Sequence, residues 1–245
     1  MSKRKNSNIM GYNVFCDDLK KIQIPKNGKK IINTLNPHSY VEAKKDPLFQ
    51  KALHASDMLM PDGTGIAMAS KFVNNDPIER IAGADLHKHL LELLNAEHGR
   101  CFYMGSTWDT LEKIKERLDR EYPNIDAGFH SPPFKEKFTK EDNEEILAAI
   151  HAHSPDVLFI GMTAPKQEKW LYEHKDKIDA NIICSIGAVF DFYAGTIKRP
   201  SEFWQKRGLE WLPRLVNEPR RLWKRNFVST PKFLFEMMLY KVKKY

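Results

Sequence analysis

Apolar positions along the chain follow two alternating rhythms. Short continuous runs at residues 100–104, 157–162 and 181–186 have strand length. Between and before them, apolar residues return every three or four positions, the period of a helix with one buried face. The helical stretches are 107–122, with Thr107 as cap and Glu/Lys pairs on its wet face, then 139–153 and 165–177. Thr139 and Asp142 make a capping-box pattern at the second of these. A shorter strand is expected at 127–130.

The first hundred residues read less regularly. A strand is expected at 12–16, a turn at 22–28 around Pro25 and Gly28, and a β-branched strand at 30–36 closed by Pro37. Helical spacing runs over 39–56 and is interrupted by Pro47. An apolar run at 57–60 stops at Pro61-Asp62-Gly63, and helical spacing resumes over 65–73 and again over 86–94, where Gly99 is the expected stop. Strands alternating with helices call for an α/β fold: a Rossmann-like, mostly parallel sheet with helices on both faces. Such sheets bind ligands beyond the carboxyl ends of their strands. That rule gathers the loops at 36–38, 61–65, 105–107, 161–163 and 187–188 on one rim.

Charge changes the picture at the C-terminal end. From Lys198 onward there are thirteen Lys/Arg against Glu202, Glu210, Glu218 and Glu236, a net charge of about +9 in a chain whose total is +7. Trp204, Trp211 and Trp223 lie in the same segment. Cations interleaved with large aromatics suit an anionic surface with an apolar layer beneath it. The expected organisation is an α/β catalytic body over 1–195 and a basic, Trp-rich helical appendage over 196–245 that holds the body against a membrane. No apolar run reaches the roughly 18 residues that would cross a bilayer, and no secretory signal is evident at the start. Cys16, Cys101 and Cys184 are odd in number and far apart, which argues for a reducing compartment rather than a disulfide framework. A cytoplasmic protein, peripheral on the inner face of the cell membrane, is therefore expected. The same basic tail admits a nucleic-acid-binding protein, which salt-sensitive DNA or RNA affinity would reveal. The tryptophans favour lipid, so no nucleic-acid partner is expected.

Several residues carry candidate chemistry. Asp62, fixed at a strand tip, suits a general base for a substrate hydroxyl; the alternative is a cap on the helix that follows. Thr34 and Asn36 end another strand, where they could orient a sugar; the alternative for Asn36 is an Asn-Pro turn. Gly105-Ser106-Thr107 and the stretch from Gly161 through Lys166 to Gln167 are strand-to-helix junctions whose free amides suit phosphate. Neither is G-x-G-x-x-G nor a Walker loop, which speaks against an NAD-dependent enzyme. Gly187, Ala188, Phe190 and Asp191 follow the last strand, where Asp191 between aromatics could meet a base or ribose hydroxyl; a packed turn is the alternative. Arg214, Arg221 and Arg225 recur at seven and four and would share one helical face if the helix ran through Pro219. His87/His89 and His151/His153 are spaced i,i+2, which a metal-binding helix does not use, and no D-x-D occurs. No metal and no cofactor are expected.

The longer motifs, taken together, resemble the WecG/TagA/CpsF family of glycosyltransferases, most of all its branch in wall teichoic acid synthesis. They are Thr34-Leu35-Asn36-Pro37, Pro61-Asp62-Gly63-Thr64-Gly65, Arg80-Ile81-Ala82-Gly83-Ala84-Asp85, the Pro-Lys-Gln-Glu core at 165–168, the stretch 187–195, and Gly208-Leu209-Glu210-Trp211 on to 218–223. The resemblance spans residues 34–225; the opening through Lys29 and the end after Thr230 match it loosely. It implies transfer of N-acetylmannosamine from UDP-N-acetylmannosamine to the 4-hydroxyl of undecaprenyl-diphosphate-linked N-acetylglucosamine, β-1,4, with inversion and without a metal. It also implies Asp62 as base, Thr34 and Asn36 positioning a sugar, and Arg80 and Gln167 as polar contacts. The stretch from Gly187 to Asp191 would line the uridine pocket, and Arg214, Arg221 and Arg225 would stabilise the departing UDP. A relative using another UDP-sugar is the alternative. A homo-oligomer is an open expectation, because tail aromatics without lipid could self-associate.

Overall fold

Alternating buried side chains on the strands explain how the sheet is covered. On β5 (Arg100–Gly105), Cys101 and Tyr103 pack with one cluster while Phe102 and Met104 pack with another. The same split holds on β7 (Val157–Gly161) and β8 (Ile182–Ser185), so these strands are buried on both faces. The computed structural model describes residues 5–198, 200–201, 203–204 and 209–244, with Asn217 and Arg221 described by backbone alone. Gly208 of the matching motif and the Arg221 side chain therefore lie outside the described residues.

The sheet has eight strands among the described residues, in the order β1-β2-β4-β3-β8-β7-β5-β6. The remaining strands are β1 (Asn6–Ile9), β2 (Tyr12–Phe15), β3 (Lys30–Leu35), β4 (Met58–Pro61) and β6 (Asp126–His130). Only the β1–β2 hairpin is antiparallel; all the other pairs are parallel. The sequence pattern missed β1, which is short and polar. The chain lays β2, β3 and β4 on one side and β5 to β8 on the other, so the halves meet where β3 pairs with β8. The carboxyl ends of β3, β4 and β8 thus lie side by side at the switch in strand order.

One face carries α4 (Gly83–Glu97), α5 (Trp108–Glu121) and α8 (Val189–Ala194), which bury Leu86, Leu90, Ile114 and Phe190. The other carries α6 (Lys140–His153) and α7 (Lys166–His174), through Ile146, Ile150 and Trp170. Near the hairpin, α1 (Pro37–Ala43), α2 (Pro47–His54) and α3 (Thr64–Asn74) enclose a third cluster. The Asp46 carboxylate caps α2 ahead of Pro47, which is why the helical stretch splits there. His98, not Gly99, ends α4: it takes the left-handed conformation at φ +52°. The aromatic stretch after β8 is a short helix rather than an irregular turn.

The tail comprises α9 (Trp211–Asn217), α10 (Pro219–Trp223), a π-helical turn (Lys224–Ser229) and α11 (Thr230–Lys244). Glu218, at φ −132° and ψ +57°, breaks the first two apart ahead of Pro219. No single helix therefore aligns Arg214, Arg221 and Arg225, as their spacing had suggested. The last helix is built into the third cluster: Phe233 is fully buried with its ring edge-on to Tyr40, and Met237 is nearly so. The change of composition at Gly195 is consequently not a boundary of the core.

Candidate active site

The β4 strand delivers the central carboxylate. Leu35 on β3 faces Pro61 on β4, and the Asp62 amide donates to the Leu35 carbonyl at 2.9 Å, so the loop leaves the sheet tied to both strands. Gly63 then takes φ +84° and opens α3 with no side-chain cap. The capping alternative for Asp62 therefore fails. Its carboxylate makes no hydrogen bond or ion pair with any described residue. A Cβ on Gly65 would stand 2.3 Å from Pro37 Cγ, so a glycine there lets α3 close against α1 and hold the loop.

Asp62, Arg80, Arg214 and Arg225 line one open cleft of about 100 Å³, joined by Glu210 and Asn226. Body and tail thus share its walls: Asp62 and Arg80 come from loops of the sheet, Glu210 from the residue before α9, Arg214 from α9, and Arg225 and Asn226 from the π turn. Arg80 Nη1 donates to Glu210 Oε2 at 2.6 Å. The Arg214 guanidinium lies 5.1 Å from the Phe192 ring centroid on α8, and its Nε is buried without a hydrogen-bond acceptor among the described residues. Two tertiary contacts brace the π turn from below. His38 on α1 meets Ser229 at 2.8 Å, and Lys224 stands 3.8 Å from Glu42. Burial, then the neighbouring Arg225, holds the His38 imidazole below its ordinary pKa.

The other expected residues whose side chains are described do not line this cleft. Asn36 caps α1: its Oδ1 accepts from the amides of His38 and Ser39, while the Ser39 hydroxyl accepts from the Asn36 amide. Asn36 is thus committed as a helix cap, and only its side-chain Nδ2 remains for a ligand. Thr34 is half-buried near the end of β3, opposite Met60. Gln167 is buried beside Gly187. Its Oε1 accepts from the Met162 amide, and its Nε2 donates to Glu168 Oε1 at 2.9 Å. Burial pushes the Glu168 carboxyl up to about 7, against the Gln167 hydrogen bond, which lowers it.

The rim loops of β5, β7 and β8 also converge, with Gly105 opposite Gly161 in register. Ser106, Gly187, Ala188 and Asp191 are half-buried there. Lys166 turns towards the loop before α6, donating to the Lys135 carbonyl and standing 3.6 Å from the Phe138 ring centroid. Phe190 is a correction: its ring is 1% exposed and packs with Tyr103 in the core, so its side chain has no face for a substrate. Glu210, Leu222 and Asn226 are cleft residues that the sequence did not single out, and Trp211, expected at a membrane, lines the cleft with them. Glu210, Trp211 and Leu222 sit inside the matching motifs, but Asn226 carried no signal beyond its place in a basic run.

Comparison with known proteins supports the resemblance. The chain matches the glycosyl transferase WecG/TagA/CpsF family over residues 8–245. It is 31% identical over 233 residues to a Bacillus subtilis (strain 168) protein named N-acetylglucosaminyldiphosphoundecaprenol N-acetyl-beta-D-mannosaminyltransferase, covering 95% of this chain and 87% of that one. Proteins of the same name from Bacillus spizizenii and Staphylococcus aureus (strain MW2) are 30% and 27% identical, over 90% and 84% of this chain and 83% and 78% of theirs. With nearly the whole chain matched, the protein is a glycosyltransferase and belongs to the WecG/TagA/CpsF family.

Proposed function

We propose that the protein transfers N-acetylmannosamine from its UDP donor to the 4-hydroxyl of N-acetylglucosamine-diphospho-undecaprenol, in the linkage unit of wall teichoic acid. The observation that carries this reading is the cleft itself: the Asp62 carboxylate, uncommitted among the described residues, shares it with arginines from body and tail. The names of the relatives supply the lipid-linked acceptor and the sugar that is moved; the UDP carrier and the β-1,4 linkage belong to this reading.

In this mechanism Asp62 takes the proton from the acceptor hydroxyl as its oxygen attacks the anomeric carbon of the donor. The bond from that carbon to the diphosphate breaks on the opposite side, and UDP leaves with the electron pair. Attack from the far side inverts the centre and makes the β-1,4 bond. Arg214 and Arg225, with Arg221, neutralise the charge growing on the diphosphate, a role preorganised cations fill without reorganisation. Arg80 is held by Glu210 until a ligand anion competes for it. The rim at Gly105, Ser106, Gly161, Lys166, Gly187, Ala188 and Asp191 receives the nucleotide, with Gln167 bracing the Met162 turn. Thr34 and the Asn36 Nδ2 lie towards the sugar. The arginines do the work a divalent ion does elsewhere, so turnover proceeds in EDTA.

The lipid acceptor brings the reaction to the inner face of the membrane. Exposed Trp223, Phe227 and Val228 lie among the tail's cations and fit that interface. No helix among the described residues is long and apolar enough to cross a membrane. The test is UDP release from UDP-N-acetylmannosamine with a lipid-diphosphate N-acetylglucosamine acceptor, in EDTA, for the natural chain and Asp62→Ala. Loss of about 10²–10⁴-fold is expected; undiminished release by the variant would remove Asp62 as the base.

A further inference from the structure

Asn226 lies in the π-helical turn Lys224–Ser229, where the Thr230 amide reaches back to the Arg225 carbonyl. A π turn inserts a residue into the helical ladder and is frequent at functional sites. Here the wider turn serves two surfaces at once. Ser229 is buried against His38, while Arg225 and Asn226 line the cleft with Asp62. Phe227 and Val228, between them, are exposed.

The Asn226 Nδ2 is buried and has no hydrogen-bond acceptor among the described residues. A buried amide donor left without a partner is costly, about 1–3 kcal/mol. It therefore calls for a ligand oxygen. What stands beside it narrows the choice. Leu222, one helical turn earlier, is buried and apolar, and the large Trp211 side chain lines the same cleft. A phosphate is better matched by the guanidinium groups of Arg214 and Arg225 and has nothing to offer an apolar wall. A sugar hydroxyl could accept the hydrogen bond but brings no methyl group. An acetamido group brings both a carbonyl oxygen and a methyl.

We propose that Asn226 recognises the acetamido group of an N-acetylhexosamine, donating Nδ2–H to its carbonyl oxygen while Leu222 and Trp211 take its methyl. This rests on the transferase reading above and adds how the enzyme tells an N-acetyl sugar from the parent hexose. Both proposed substrates carry the group, so the test has a donor arm and an acceptor arm.

The full chain, Asn226→Ala and Asn226→Asp are compared in UDP release. The donor arm sets UDP-N-acetylmannosamine against UDP-mannose. The acceptor arm sets lipid-diphosphate N-acetylglucosamine against its glucose counterpart. Sites that hydrogen-bond a substrate group reject analogues lacking it strongly, so the natural chain should prefer the acetamido sugar in one arm by at least about 100-fold in kcat/KM. Both variants should cut that preference at least tenfold in the same arm, which identifies the sugar read. Preference unchanged in both arms, or equal losses on acetamido and hydroxyl substrates, overturns the proposal. Asn226→Asp keeps the shape and removes the donor, so it separates recognition from misfolding. Saturation-transfer NMR with free N-acetylmannosamine and N-acetylglucosamine reads the same contact without turnover. An acetamido methyl signal lost in Asn226→Asp supports the proposal even where no sugar is transferred, in which case the transferase reading alone fails. No signal from either sugar in the natural chain sinks it.

Discussion

Arg80 and Glu210 join body to tail across the cleft. The guanidinium donates to the carboxylate at 2.6 Å, and the two side chains keep 20% and 15% of their exposure. A pair this sheltered is screened little by solvent, and removing one partner strands the other. Glu210→Ala should make residues 196–229 more sensitive to protease. A double-mutant cycle with Arg80→Ala, read by thermal melts, should show coupling of about 1–3 kcal/mol. Coupling indistinguishable from zero would mean that the contact does not hold the tail.

The last helix should behave as core. Phe233 is fully buried against Tyr40, in the same cluster as Val41, Ile66 and Ala69. Phe233→Ala should cost about 3–5 kcal/mol in chemical denaturation. A chain ending at Ser229 should expose that cluster and aggregate or melt early. If the shortened chain melts like the whole one, α11 is only an attachment.

Glu168 predicts a pH dependence. Burial raises its folded pKa to about 7, above the ordinary carboxylate value. Between those values the folded chain holds a proton that the unfolded chain has released. Its contribution to stability therefore falls as pH rises through that window. Glu168→Gln keeps an acceptor for Gln167 and cannot ionise. It should match the natural chain near pH 5 and exceed it by on the order of 2–3 kcal/mol above pH 7. Melting curves from pH 5 to 8 that run parallel would contradict this.

His38 should act in the opposite sense. Its folded pKa lies below its ordinary value because of burial and Arg225. As pH falls through the ordinary imidazole value, the unfolded or undocked state takes up the proton first, and the docked state is penalised. Limited proteolysis should cut the tail faster at pH 5.5 than at 7.5, and His38→Gln should flatten the difference. A tail equally resistant at both pH values would rule out His38 as the cause.

Much of this protein is written locally. Strand-length runs, helical spacing, the caps Thr107 and Thr139 and the break at Pro47 depend on neighbours a few residues apart, and all reappear in the structure. The rim of strand ends followed from the alternation of elements, because parallel strands put all their following loops on one side. Local spacing failed where distant contacts decide. Arg214 and Arg225 share a cleft although no continuous helix joins them; Glu218 and Pro219 interrupt it, and packing on α1 and α8 returns the chain to the same place. Phe190 reads as a pocket residue beside Asp191, yet the packing of α8 on the sheet turns its ring into the core. Asn226 is one polar residue in a basic run until the π turn sets it beside Leu222 and Asp62. Sequence determined the layers and the carboxylate at the strand tip, since period and turn chemistry act over a few residues. Which tail side chains meet that carboxylate was left to tertiary structure, because it depends on contacts 130 and 191 residues apart along the chain, Arg80 with Glu210 and His38 with Ser229.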